Sequence, residues 1–199
     1  MSRRRRSFFG WGYEDEPVST DELGWFERAW SQLFHVDAFA PTPLPRESEI
    51  TLRSPRVSVP EPLRSFCTDE KYDRLLHCYG RSVHDLARMI HRRDFANPPD
   101  VVAYPRDELE IQALLGWCGE NEVAAIPFGG GSSVVGGVNP AVDEHYRGTL
   151  TIDLKHLNRV IEVDAISQTA RIQAGVLGPD LERQLRSSGL TMRDRKSVV

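Results

Sequence analysis

Residues 127–138 read PFGGGSSVVGGV, a run that puts five glycines and two serines between two apolar, strand-like segments. Three consecutive glycines, Gly129, Gly130 and Gly131, cannot continue a strand or start a helix at low cost. They can adopt left-handed backbone angles, and with no Cβ in the way their N–H groups can approach an anion closely. Ser132 and Ser133 add hydroxyl donors at the same place. Two better-known glycine loops are excluded by spacing, since a Walker A loop ends in GK[ST] and a nicotinamide-type fingerprint is GxGxxG opening a helix. Here Gly131 and Gly136 are separated by Ser-Ser-Val-Val, no lysine follows, and Asn139 and Pro140 lead into another loop. Taken alone, the run reads either as a phosphate cradle or as a glycine-rich turn without a ligand.

The neighbouring segments narrow the choice. Residues 101–104 (VVAY) read as a short strand. Pro105 and Asp107 then open a helix running to Cys118, with Leu109, Leu114, Leu115 and Cys118 on its buried side. Residues 123–128 form a second strand leading into the glycine run. Residues 149–154 read as a third, and residues 160–163 and 169–174 as two more, joined by a turn at 164–168. Gly178-Pro179-Asp180 starts a helix that stops at Gly189. Strand, helix, strand, glycine loop, strand meander and helix in this order describe an α+β domain.

Upstream, residues 69–92 read as one amphipathic helix through Tyr72, Leu75, Leu76, Tyr79, Val83, Leu86, Met89 and Ile90, weakened midway by Gly80. A further helix is expected over residues 21–33 from the spacing of Leu23, Phe26 and Trp30. The prolines at 41, 43, 45, 55, 60 and 62 predict an extended segment laid over another surface.

Charge and composition exclude several classes. A net charge of -4, with no basic face beyond residues 3–6, argues against nucleic acid as the partner. No apolar run reaches the length of a transmembrane helix. The basic start lacks the apolar region of an export signal and reads as a solvated terminus that leaves peripheral membrane contact open. Cys67, Cys78 and Cys118 are odd in number and lack CxxC spacing, which fits neither a disulfide framework nor a zinc site, so no metal is expected and a reducing, cytoplasmic setting is. His77, His84 and His91 lie seven residues apart, too far along a helix for one ion, and read as surface or boundary side chains.

Residues 98–115 (PPDVVAYPRDELEIQALL), 126–137 (IPFGGGSSVVGG), 151–164 (TIDLKHLNRVIEVD) and 170–185 (ARIQAGVLGPDLERQL) together resemble the PCMH-type FAD-binding domain of the vanillyl-alcohol oxidase / p-cresol methylhydroxylase superfamily. Residues 9–16 (FGWGYEDE), 74–86 (RLLHCYGRSVHDL) and 174–191 (AGVLGPDLERQLRSSGLT) are most similar to the alkyl-dihydroxyacetonephosphate synthase branch. The resemblance implies a helical, proline-rich N-terminal extension over 1–92 and the first part of the FAD-binding domain over 93–193. It implies pyrophosphate binding by Pro127, Phe128, Gly129, Gly130, Gly131, Ser132, Ser133 and Val134. Some members tether the flavin through a histidine in this loop. Residues 126–137 contain none, so non-covalent FAD is expected.

In that branch the acyl chain of acyl-dihydroxyacetonephosphate is exchanged for a fatty alcohol to make an ether lipid, with no net redox change, and the cofactor carries the chemistry. The substrate is therefore expected to be a small or lipid-derived molecule, and the full-length enzyme is compatible with a homodimer. Two alternatives share the loop: an FAD-linked oxidoreductase of a 2-hydroxy acid, of glycolate or D-lactate dehydrogenase type, and a non-catalytic flavin-binding module. No catalytic residue is nominated. His156 is the titratable group expected nearest the cleft and is read as structural. Residues 194–199 (DRKSVV) depart from the pattern after Arg193 and can be encoded by a string matching the start of a sequencing adapter. They are expected to be a non-native tail on an incomplete, inactive domain.

Overall fold

The computed structural model describes residues 5–10, 12–17, 19–37 and 42–193. The expected non-native tail, 194–199, lies outside the described residues, as do residues 3 and 4 of the basic start.

A four-stranded sheet organises the chain in the order β1 (Cys67–Thr68), β2 (Val101–Ala103), β4 (Gly148–Asp153), β3 (Val123–Phe128). β2, β4 and β3 are parallel and β1 is antiparallel to β2. β4 is buried at all six positions, as expected of a central parallel strand covered on both faces. A hairpin of β5 (Val160–Asp164) and β6 (Thr169–Ile172) stands apart as a second sheet. Its turn is set by Asp164, whose Oδ1 accepts the amides of Ile166 and Ser167. The mixed α+β architecture expected from the sequence is the one observed.

Register assigns the two faces. Val101, Ala125 and Leu150 are aligned, as are Ala103 and Ile152, and these side chains pack with Leu114 and Cys118 of helix α4 (Glu108–Glu120) and with Val59 and Leu63. Asp107 caps α4 by accepting the Glu110 amide at 2.9 Å. Leu114 and Cys118 are buried as expected, whereas Leu109 and Leu115 are 73% and 50% exposed. One helix facing a narrow sheet covers only a single stripe, and these two leucines fall outside it.

The opposite face carries Thr149, Thr151 and Asp153 and is covered by α2 (Lys71–Leu76) and the turn after it. Beyond lies a second apolar cluster that includes Leu75, Leu76, Tyr79, Met89, Phe95, Ile50 and Phe8. The segment expected as one helix over 69–92 is in fact two, α2 and α3 (Val83–His91), separated by residues 77–82. Ser82 restarts the helix, its Oγ accepting the Asp85 amide. This break also overturns the reading of the three histidines as equivalent surface or boundary groups. His77 is fully buried, while His84 and His91 are exposed.

Residues 53–63 contact the sheet and its core. Arg53 and Arg56 both pair with the buried carboxylate of Asp100, and Val59 and Leu63 enter the core. Helix α1 (Thr20–Phe34) forms where expected, with a Ser19 and Glu22 capping box, and has no buried residue. Helix α5 (Gly178–Leu185) follows the hairpin, and Gly189 ends the last turn with a left-handed φ of 67°.

Candidate anion-binding loop

Parallel strands β2, β4 and β3 all end at one edge of the sheet, and residues 129–133 leave β3 at that edge. Such an edge, outside the carboxyl ends of parallel strands, is where open α/β sheets commonly bind ligands. Within the described residues none of the amides of residues 129–133 donates a hydrogen bond. An unsatisfied run of backbone donors is costly unless water or a ligand serves it, so this loop is suited to an anion.

The loop is closely packed, and at Gly131 the packing requires glycine. Gly131 has φ +73°, and a Cβ there would lie 2.7 Å from Cζ of Phe128. A Cβ on Gly129 would touch the Ala174 carbonyl at 3.4 Å, and one on Gly130 would meet Leu177 at 3.8 Å. Ser133 Oγ accepts the Gly137 amide at 3.0 Å, which closes the loop and leaves the hydroxyl proton to donate. Ser132 and Val134 are exposed, as is Pro127, while Phe128 is buried beneath. Of the glycines, Gly131 is buried and Gly129 and Gly130 are half-buried.

Under the loop is a buried polar layer. His77 Nε2 lies 3.0 Å from Asp153 Oδ2, and its Nδ1 lies 2.7 Å from the carbonyl of Asp73. Burial opposes charge on Asp153, yet the hydrogen bond and the charge of His77 hold its carboxyl below the usual carboxylate range. The His77 ring packs edge-on against Phe128 at 4.5 Å between centroids. Arg81 is also buried, and burial pulls its guanidinium down to about 10, so it stays charged at neutral pH. Among the described residues its side chain bonds only to carbonyls, those of Leu76, Tyr79 and Gly80.

Beside the loop, and meeting it at Leu177, is a cavity of about 990 Å³. Arg5, Arg6, Arg106, Lys155 and His156 line it together with Tyr104, whose ring carries Lys155 Nζ at 3.2 Å. His156 thus borders the cleft, 6.5 Å from Tyr104 between ring centroids. The three cysteines are free thiols, and burial pushes Cys67 and Cys78 up to about 12 and Cys118 to about 11, which removes them as nucleophiles. Among the described residues no helix is long and apolar enough to cross a membrane.

The sequence reading missed the contribution of residues 77–82. Its signal was present in Gly80 and in the Ser82-x-x-Asp85 spacing of a helix restart, but the apolar periodicity across the break was continuous enough to hide it.

The sequence pattern of the FAD binding domain family matches residues 99–198. An alkyldihydroxyacetonephosphate synthase of Dictyostelium discoideum is 32% identical over 181 residues, covering 91% of this chain and 27% of its own length. Glycolate oxidase subunit GlcD of Bacillus subtilis is 35% identical over 107 residues, covering 52% of this chain and 22% of its own. A solved structure of an alkyldihydroxyacetonephosphate synthase matches with a TM-score of 0.76 at 27% identity, over 94% of this chain and 39% of that one. The chain spans about a quarter of the length of the first of these curated relatives.

Proposed function

The chain belongs to the FAD binding domain family, and from that premise we propose that residues 127–134 hold the FAD diphosphate in a flavoenzyme of the alkyldihydroxyacetonephosphate synthase kind. The observation that carries the cofactor site is the run of undonated amides at residues 129–133, in a loop whose Gly131 leaves no room for a Cβ. Diphosphate oxygens would accept those N–H groups, and the Ser132 and Ser133 hydroxyls would complete the shell without a lysine. Bound there, FAD supplies the redox-active ring. This chain supplies binding, orientation and a positive local field from Arg81.

The synthase reading is supported by the extent of likeness. Similarity to the synthases reaches back through residues before 93, whereas likeness to the glycolate oxidase subunit covers about half the chain. The proposed reaction of the whole protein is exchange of the acyl chain of an acyl-dihydroxyacetonephosphate for a fatty alcohol. An FAD-linked 2-hydroxy acid oxidoreductase is the second reading, favoured by likeness over about half the chain to the GlcD subunit and to D-lactate dehydrogenases. Three free thiols fit a reducing, cytoplasmic compartment.

The test is direct. Chain purified and loaded with FAD is expected to show flavin absorbance, and acid or heat denaturation followed by ultrafiltration should release all of it into the filtrate, because residues 126–137 offer no histidine for a tether. Flavin that stays with denatured protein would refute the non-covalent mode. FAD retained equally by the chain and its Gly131→Ala variant would refute the assignment of this loop.

A further inference from the structure

We propose that Gly80 and Arg81, in the break between α2 and α3, are positioning residues that set which way the peptide groups of the glycine loop point. The proposal rests on the flavin reading above and adds to it a segment that precedes the region matched by the family.

Arg81 donates its backbone N–H to the carbonyl of Gly131 at 2.7 Å. The peptide joining Gly131 to Ser132 is trans, so its N–H, carried by Ser132, points opposite to that carbonyl and away from residues 77–82. The Ser133 carbonyl faces the same way. A Cβ on Gly80 would lie 3.0 Å from the oxygens of both Gly131 and Ser133. By the same geometry the Val134 amide points outward. A glycine-rich loop can expose either carbonyls or amides, and exposed carbonyl oxygens would repel a diphosphate. Drawing two of them inward onto Gly80 and Arg81 turns the loop's outer surface into donors.

The segment is itself held in shape. Arg81 Nη2 donates to Leu76 O at 3.0 Å, and Nη1 donates to Tyr79 O and Gly80 O at 3.2 and 3.3 Å, so the guanidinium ties together the carbonyls left open where α2 ends. A side chain on Gly80 would crowd this segment too, because its Cβ would also meet Asp85 Oδ2 at 3.0 Å. From the other side, His77 supports Phe128, whose ring lies against Gly131. Residues 77–82 therefore grip the loop at Gly131, at Ser133 and through Phe128.

The experiment uses the 199-residue chain and its Gly80→Ala and Arg81→Ala variants, with Gly119→Ala in α4 as a control whose Cβ would have nothing within 4 Å. ADP is the probe, titrated by calorimetry and followed by NMR at the Ser132 and Val134 amides. Parent and Gly119→Ala are expected to bind ADP alike with both amides shifting. Gly80→Ala and Arg81→Ala are expected to bind roughly tenfold more weakly or worse, with the amide response lost, as loss of preorganisation implies. Equal ADP binding by Gly80→Ala and parent would overturn the proposal and leave the flavin reading standing. Failure of the parent to bind ADP would overturn both. Should the variants not fold, hydrogen exchange on the parent decides. The Arg81 amide is expected to be protected without ligand and the Ser132 amide only with ADP, and an unprotected Arg81 amide would overturn the proposal.

Discussion

Asp100 shows how a single side chain ties the proline-rich segment to the sheet. It is fully buried and accepts hydrogen bonds from Arg53, from the Arg56 side chain and backbone, and from the Thr149 amide. Burial opposes its ionisation, yet the Arg56 and Arg53 hydrogen bonds outweigh it and hold the carboxyl well below the usual range. A depressed carboxyl contributes stability that is fully present above its ordinary pKa and is lost as pH falls through the folded value. Asp153 is depressed in the same sense. Unfolding free energy measured in urea is thus expected to be level from neutrality down to about pH 5 and to fall below about pH 4. Asp100→Asn should cost about 2 kcal/mol at pH 7 and flatten that acid limb, less than for a fully buried pair because both arginines can rehydrate. An unchanged midpoint would show that the segment is held by its apolar residues alone. In the loop, Gly131→Ala meets both a φ of +73° and a 2.7 Å contact with Phe128, and equilibrium dialysis is expected to show FAD retention lost. The glycine run and its residues were legible in the sequence because glycine's conformational freedom is a local property. The partnership of His77 with Asp153, 76 positions apart, was not.

At the scale of elements, local signals worked where one residue type ends or starts a structure. Asp107 at the start of α4, Gly189 at the end of the last turn and the Asp164 turn all fall as read. The failure over residues 69–92 is instructive, because apolar periodicity persisted through Gly80 although the chain turns there to reach the glycine loop. The turn at Gly175 is a second such crossing. Its amide bonds to Leu157 O at 2.9 Å, and a Cβ would sit 1.7 Å from Leu154 O. Gly175→Ala is accordingly expected to lower the thermal midpoint by more than about 5 °C, since backbone must move to admit the methyl. A midpoint within a degree of the parent by differential scanning fluorimetry would show that the 154–157 turn yields freely.

Among the described residues two apolar groups are packed, while helix α1 leaves its apolar residues exposed. One group, including Leu150, fills the space between the sheet and α4, and the other packs α2 and α3 against Ile50 and Phe8. Helix α1 joins neither, and Phe26 and Trp30 remain 47% and 45% exposed. Leu150→Ala is expected to cost about 3 kcal/mol by leaving a cavity in a core strand. Phe26→Ser and Trp30→Ser should each change stability by less than about 0.5 kcal/mol. Chemical denaturation of the three variants checks the contrast, and comparable losses would mean that α1 is packed in solution.

The sequence by itself determined the α+β order of elements and the position of the glycine loop, because alternation, capping residues and consecutive glycines act over a few positions. Only the tertiary structure decided that residues 77–82 break a helix to grip that loop, that Asp100 anchors the proline-rich segment, and that His77 is buried on Asp153. Those pairings join positions 44 to 76 residues apart, and what selects them is the filling of space and the satisfaction of buried charge in the assembled fold.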